Sequence, residues 1–413
     1  MKHLYYGWVI VVIATCILAL QSFVMYTFGV FLVPVTTELN WERGAISGAY
    51  SMYMLISGPL AILSGRLSDK YKHGARILVT FSGLLTGIGF LLMSQIKSLW
   101  QAYLILGFFM GIGSSCGSIP LNATIPRWFA KRRGIAVGIA IAGIGLGATI
   151  APSLAQWLIS AYGWRQAFLI LGLITLIIVV PLAQFIKHSP QQIGLKPYGE
   201  NGIIEDKQSL VTEMGSFKQA IKTSHFWLLG LIRFCFVLYM QAVIIHLVPY
   251  AVDIGIPAII AAGIMSIHAG VSVIGRLSMG FISDRIGGRL ALSVSLITLT
   301  LALIWLPLAK EIWVFYIFAV VFGLAYGGVV PPLLTLLPAE FFGLKSLGII
   351  LGALNIFLTV GGSFGPPLAG SIFDVTGSYS LAFLIYIILS TLAFMLSLIL
   401  LRSKGKGGIL GKG

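Results

Sequence analysis

Twelve apolar stretches, each long enough to cross a bilayer, are separated by charged or turn-forming clusters along this 413-residue chain. They fall at about 8–32, 45–67, 77–96, 100–126, 134–161 and 165–186, and then at about 224–250, 257–282, 290–309, 312–337, 347–373 and 379–401. A helix that rises 1.5 Å per residue needs about 20 apolar residues to cross the hydrocarbon core. Lipid offers the backbone no hydrogen bonds, so such segments must satisfy their own and fold as helices. The expected fold class is therefore all-α, a polytopic membrane protein of twelve transmembrane helices. Only 9% of residues are charged, against about 25% in a soluble domain, so a water-facing globular enzyme is excluded. The 49 glycines suit close helix–helix packing in lipid. The first run is too long for the apolar core of a signal peptide and lacks a small-x-small cleavage site. It is expected to remain as a span.

The net charge of +15 would suggest a nucleic-acid partner in a soluble protein. Here the placement of the basic residues gives another reading. With the N-terminus inside, 21 of the 27 lysines and arginines fall in inner segments; Arg43, Lys97, Arg165 and Lys310 fall outside, and Arg233 and Arg276 lie within spans. That asymmetry places both termini in the cytoplasm, in the cytoplasmic (inner) membrane of the cell, and leaves no charge for nucleic acid to explain. Cys16, Cys116 and Cys235 each sit in an apolar run without paired spacing, so neither a disulfide nor a metal site is indicated. No cofactor is expected.

The two sets of six spans repeat. Gly65-Arg66-Leu67-Ser68-Asp69 after the second span matches Gly280-Phe281-Ile282-Ser283-Asp284 after the eighth, and Ala167-Phe168-Leu169-Ile170 matches Ala382-Phe383-Leu384-Ile385. Arg127-Trp128-Phe129 aligns with Glu340-Phe341-Phe342 at nearly the same offset. Duplicated halves predict a transporter with its site near the midplane between them. The expected domains are a six-helix bundle over 1–190, a linker over 191–222, and a second bundle with a basic tail over 223–413.

The twice-occurring Gly-x-x-x-Asp-(Arg/Lys) loop resembles the loop signature of the major facilitator superfamily. Arg127-Trp128-Phe129-Ala130-Lys131-Arg132-Arg133-Gly134 and Gly163-Trp164-Arg165 are similar to its bacterial monocarboxylate transporter and oxalate/formate antiporter branch. The resemblance covers the whole chain. It implies gating contacts by Asp69, Arg76, Asp284, Arg285 and Arg289. The first loop departs from the pattern, since Lys72 and His73 precede Gly74 and stretch the spacing.

No Asp or Glu lies deep in any span, whereas Arg233 and Arg276 do. A buried cation without an acidic partner costs roughly 2.5–3.5 kcal/mol at the membrane centre, and a substrate carboxylate is its natural counter-ion. Spacing of four places His268, Ser272, Arg276 and Gly280 on one polar stripe of the eighth span. Arg276 is thus expected in the central cavity, and Arg233, flanked by Leu229 and Val237, is expected to snorkel or to contact another helix. The resemblance agrees, because monocarboxylate transporters carry an arginine at this place. Their aspartate four residues earlier is Ser272 here.

Further expected substrate contacts are Asn122, Tyr326, His246, Ser272, Tyr26 and Asn355, all with hydrogen-bonding side chains at plausible depth. His246 and His268 are the candidates for carrying a coupled proton. The glycine strings Gly138–Gly147 and Gly361–Gly365 follow no strand, so they read as helix contacts and not as nucleotide loops. The function expected is proton-coupled transport of small monocarboxylates, lactate-like or pyruvate-like, by a monomer that alternates access. The alternatives are an oxalate/formate-type anion exchanger and, from another class, a non-transporting membrane sensor.

Overall fold

The computed structural model describes residues 5–71, 73–199, 217–343 and 347–402. Twelve helices among them are long and apolar enough to cross a membrane. We label them α1 (Tyr6–Leu39), α2 (Arg43–Ser68), α3 (Gly74–Met93), α4 (Leu99–Trp128), α5 (Gly134–Tyr162) and α6 (Trp164–Gln184). The second set is α7 (Ser224–Asp253), α8 (Ala258–Ile286), α9 (Gly288–Leu308), α10 (Ile312–Phe342), α11 (Ile349–Thr376) and α12 (Ser380–Arg402). An even number of crossings brings the start of α1 and the end of α12 to one face, the terminus-bearing end. Most of the linker expected at 191–222, and the last eleven residues of the tail, lie outside the described residues.

Glycines set how closely the helices approach. A methyl group on Gly143 or Gly147 of α5 would overlap the backbone carbonyls of Thr15 and Ala19 on α1. In the second half, Gly361 and Gly365 of α11 meet the carbonyls of Phe234 and Leu238 on α7 in the same way. The same pair of glycines four residues apart thus fixes the same helix pair in each bundle, which is the close packing the glycine strings predict. Between bundles, α1 packs on α7, α2 on α11 and α5 on α8.

Two spans are irregular. α4 contains a π-helical segment at Tyr103–Met110 and closes in a 3₁₀ turn at Ile125–Trp128. α10 turns π-helical at Pro332–Leu336, directly after Pro331. Proline lacks the N–H that an α-helical ladder needs, so Pro338, just past this segment, leaves the Leu334 carbonyl four residues earlier without its helical donor. Past α6 the chain folds back under α4. The Tyr198 N–H donates to Trp128 O (2.8 Å), and Tyr5 Oη donates to Lys196 O (2.8 Å).

Candidate functional site

A cavity of about 350 Å³ lies between the bundles, from mid-span toward the terminus-bearing end. Met25 of α1, Met54 and Ser57 of α2, and Ser114, Ser115 and Ser118 of α4 form its N-terminal wall. Phe236, Met240 and Gln241 of α7, Tyr326 of α10 and Asn355 and Thr359 of α11 form the other. Apolar side chains dominate, with hydroxyls and amides set among them.

Polar crossings seal the opposite end. The Gln241 amide donates to Tyr50 Oη (3.2 Å), and the Ser51 hydroxyl donates to Ser363 O. Beyond them, Arg43 at the start of α2 donates bidentately to Asp253 at the end of α7, at 2.5 and 2.8 Å, and also to Tyr379 Oη (2.9 Å). Its guanidinium stands 4.0 Å from the centre of the Phe373 ring. The Asp374 carboxylate accepts from the backbone N–H groups of Arg43 (2.9 Å) and Gly44 (2.7 Å), capping α2 from the other bundle. An anion at a helix N-terminus satisfies N–H groups the helix itself leaves open. At the terminus-bearing end, no hydrogen bond or ion pair among the described residues joins the two bundles. The molecule is latched at one end and open at the other.

Arg276 sits behind the wall formed by Tyr326, its guanidinium 5.6 Å from the centre of that ring. It makes no ion pair or hydrogen bond among the described residues, and its Nε is buried without a partner. His268 packs on the same ring, with centroids 5.6 Å apart, and both of its nitrogens are buried and unpartnered. Tyr26, buried on α1, meets Tyr326 from the other bundle, within the field of the Arg276 charge. The structure therefore gathers Arg276, His268, Tyr326 and Tyr26 around one point, with Asn355 on the cavity wall nearby. Asn122 lies one turn from Ser118, and its Oδ1 is buried without a partner. Ser272 is on the expected stripe, but its hydroxyl donates to Ala269 O (2.7 Å) within its own helix.

Two expectations need correcting. No described residue of α8 lines the cavity, so Arg276 stands one layer behind it and not in it. His246 does not reach the cavity. Its Nδ1 meets Tyr379 Oη (3.0 Å) and its Nε2 meets Pro366 O (2.9 Å), inside the latch. The gating residues Arg76 and Arg289 bind within their own bundles, to Gln184 (3.0 Å) and to Glu340 (2.7 Å). Asp284 and Arg285 are exposed, because the bundles stand apart at this end. The Asp69 side chain lies outside the described residues.

Arg233 contacts another helix, as its apolar surroundings predict. It is buried and donates to the carbonyls of Leu333 (2.9 Å) and Leu334 (3.1 Å) in the π-helical turn of α10. Sequence reasoning missed Gln241, the three serines of α4 and the Arg43 latch. Ser114 and Ser118 stand four apart on one face of α4, a spacing that could have found them, whereas the latch partners lie more than 200 residues apart.

A sequence model of the Major Facilitator Superfamily matches residues 14–341 and 279–412. Monocarboxylate transporter 2 of Homo sapiens is 30% identical over 360 residues, covering 83% of this chain and 73% of that protein. Monocarboxylate transporter 13 of Rattus norvegicus is 28% identical over 393 residues, covering 92% and 85%. Among solved structures, a bacterial homologue of the human lysosomal transporter Spinster, in an inward-facing and occupied conformation, superposes with a TM-score of 0.77. It is 15% identical, and the match covers 97% of each chain. The nucleoside transporter NupG gives a TM-score of 0.73 at 13% identity, covering 94% of this chain and 100% of that one. The chain is a multi-pass membrane transporter that belongs to the major facilitator superfamily, in its monocarboxylate transporter branch.

Proposed function

We propose that this protein carries small monocarboxylate anions, coupled to protons, across the cytoplasmic membrane by alternating access. The observation that carries the reading is Arg276: a guanidinium with no acidic partner, behind a cavity-lining tyrosine, in a chain without deep carboxylates. A monocarboxylate supplies the missing charge, and the loaded site is then neutral. Neutrality favours reorientation, because moving an unpaired charge through a low-dielectric interior is costly. The Tyr26 and Tyr326 hydroxyls and the Asn355 amide offer neutral donors to the substrate's remaining oxygens.

His268 is the better of the two proton candidates, since both of its nitrogens are free and it shares the Tyr326 ring with Arg276. A proton on His268 and the guanidinium repel each other, and a bound carboxylate relieves that repulsion. Anion and proton then favour each other's binding, and thermodynamic linkage makes the effect reciprocal. With both termini in the cytoplasm, the cavity opens inward. In the outward-open state, Asp69, Asp284 and Arg285 close the inner end, while the Arg43 latch opens.

Arg233 is held by backbone carbonyls, so a second cation is not presented to a dicarboxylate. This counts against oxalate exchange. The test is uptake of labelled C2–C4 acids into proteoliposomes with and without an inward proton gradient. Gradient-stimulated uptake of lactate or pyruvate is expected, and absence of uptake of every acid would overturn the reading.

A further inference from the structure

The duplicated bundles differ at one arginine pair. In the second bundle, Arg289 of α9 pairs with Glu340 of α10 at 2.7 Å, with the Phe341 ring 4.7 Å from the guanidinium. The repeat maps Arg289 onto Arg76 and Glu340 onto Arg127, at the same offset of 213 residues. The first bundle therefore has a second arginine where its twin has the carboxylate. Arg127 turns to His188. Arg76 uses its Nε on the Gln184 amide oxygen, and Gln184 in turn donates to the Thr80 hydroxyl (2.9 Å). No described residue accepts from the two terminal nitrogens of Arg76, and no described carboxylate pairs with it.

These groups head a second cavity, of about 460 Å³, on the outer wall between α3 and α6. His73, Arg76, Thr80 and Gln184 form its polar part, while Ile77, Phe81 and Leu84 continue it down α3. Those three apolar side chains are 61%, 45% and 37% exposed and face away from the protein. The stripe from His73 to Leu84 is about 16 Å long at helical rise, close to half of the roughly 30 Å hydrocarbon core. Its polar head lies at the terminus-bearing end, where the basic loops cluster. A cation at the membrane boundary above one leaflet's depth of exposed apolar surface matches the two ends of a lipid.

We propose that the α3–α6 groove binds an anionic phospholipid, its phosphate on Arg76 and an acyl chain along Ile77, Phe81 and Leu84. Among the described residues, the groove has no carboxylate to receive a choline or ethanolamine nitrogen, which favours a headgroup carrying net negative charge. Basic pockets between spans on the cytoplasmic side are a known form of such recognition. The site is separate from the central cavity, so the proposal stands or falls independently of the transported substrate.

The test is native mass spectrometry of the delipidated full-length protein titrated with phosphatidylglycerol or phosphatidylcholine. One phosphatidylglycerol should bind about fivefold better than phosphatidylcholine. Arg76→Gln should abolish that preference, whereas Arg402→Gln, an exposed charge at the same end, should keep it. Phosphatidylglycerol carrying a photoactivatable acyl chain should label the wild-type protein within Ile77–Leu84. Millimolar glycerol 1-phosphate should not displace the lipid. Unchanged preference in Arg76→Gln, labelling spread evenly over other spans, or displacement by the free phosphate ester would each overturn the proposal.

Discussion

At mid-span, the first bundle presents only neutral side chains to the cavity, among them Met25, Met54, Ser57, Ser114 and Ser118. The second holds both arginines within the membrane and both deep histidines: Arg233, Arg276, His246 and His268. Duplication produced two similar scaffolds, yet charge is kept in one of them. A bundle that carries the charge is expected to decide whether an anion binds. A neutral bundle lined with methionine and hydroxyl groups is expected to decide how well it fits. Within the charged bundle the contrast continues, because one terminal nitrogen of Arg233 is taken by carbonyls of a π-helical turn while Arg276 makes no hydrogen bond among the described residues.

The largest effect should follow substitution of the open charge. Arg276→Gln should weaken lactate binding about a hundredfold, the loss of a charge-assisted pair, while Arg276→Lys should be strongly impaired because the bidentate geometry is lost. Ser114→Ala, on the neutral side, should alter transport several-fold at most. If the serine variant proved the more damaging, the division of labour between bundles would be broken. Oxalate should compete against lactate about a hundredfold more weakly, since its second charge must be desolvated without a cation.

Proton coupling sharpens the comparison within α7 and α8. His268→Gln should allow lactate exchange but lose accumulation driven by a pH gradient. His246→Gln should instead disturb the latch, because that imidazole is bound to Tyr379 and Pro366 O. Asp253→Asn should loosen the same latch. A cysteine replacing Ser51 would then react with external thiol reagents about five- to tenfold faster, as suits a partly exposed bidentate pair. Arg233→Leu should lower thermal stability by about 1–3 kcal/mol, since the Leu334 carbonyl loses its guanidinium donor and Pro338 supplies none, with little change in lactate affinity. Smallest of all, a branched five- or six-carbon monocarboxylate should match or slightly exceed lactate, because Met54, Phe236 and Met240 give apolar contact to a longer chain.

Much of this was legible in the chain itself. Apolar length and the 215-residue repeat located the spans to within a few residues at most ends, and the stripe through His268 and Arg276 faces the Tyr326 ring of α10, not the open cavity. Helical periodicity reports which face a side chain occupies, and for Arg276 that face turns to Tyr326 of α10, one layer behind the cavity wall. It does not report what a distant helix places opposite. Arg43 looked like one more loop cation, since Asp253, Asp374 and Tyr379 are distant in sequence. His246 had the right depth class for a ligand, but lies toward the end that this conformation closes. The Leu334 carbonyl that helps to hold Arg233 lies four residues before Pro338, which has no N–H to give it, but the apolar pattern of α10 does not say which distant side chain takes that donor's place.

The central claim is that one unpaired guanidinium selects a monovalent carboxylate. Equilibrium binding of labelled lactate to the purified protein, competed with unlabelled lactate or with lactamide, measures this most directly. Lactamide keeps the shape and removes the charge. Displacement by lactate but not by lactamide is expected, with lactate binding to Arg276→Gln about a hundredfold weaker. Wild-type affinity in Arg276→Gln, or lactamide competing as well as lactate, would contradict it.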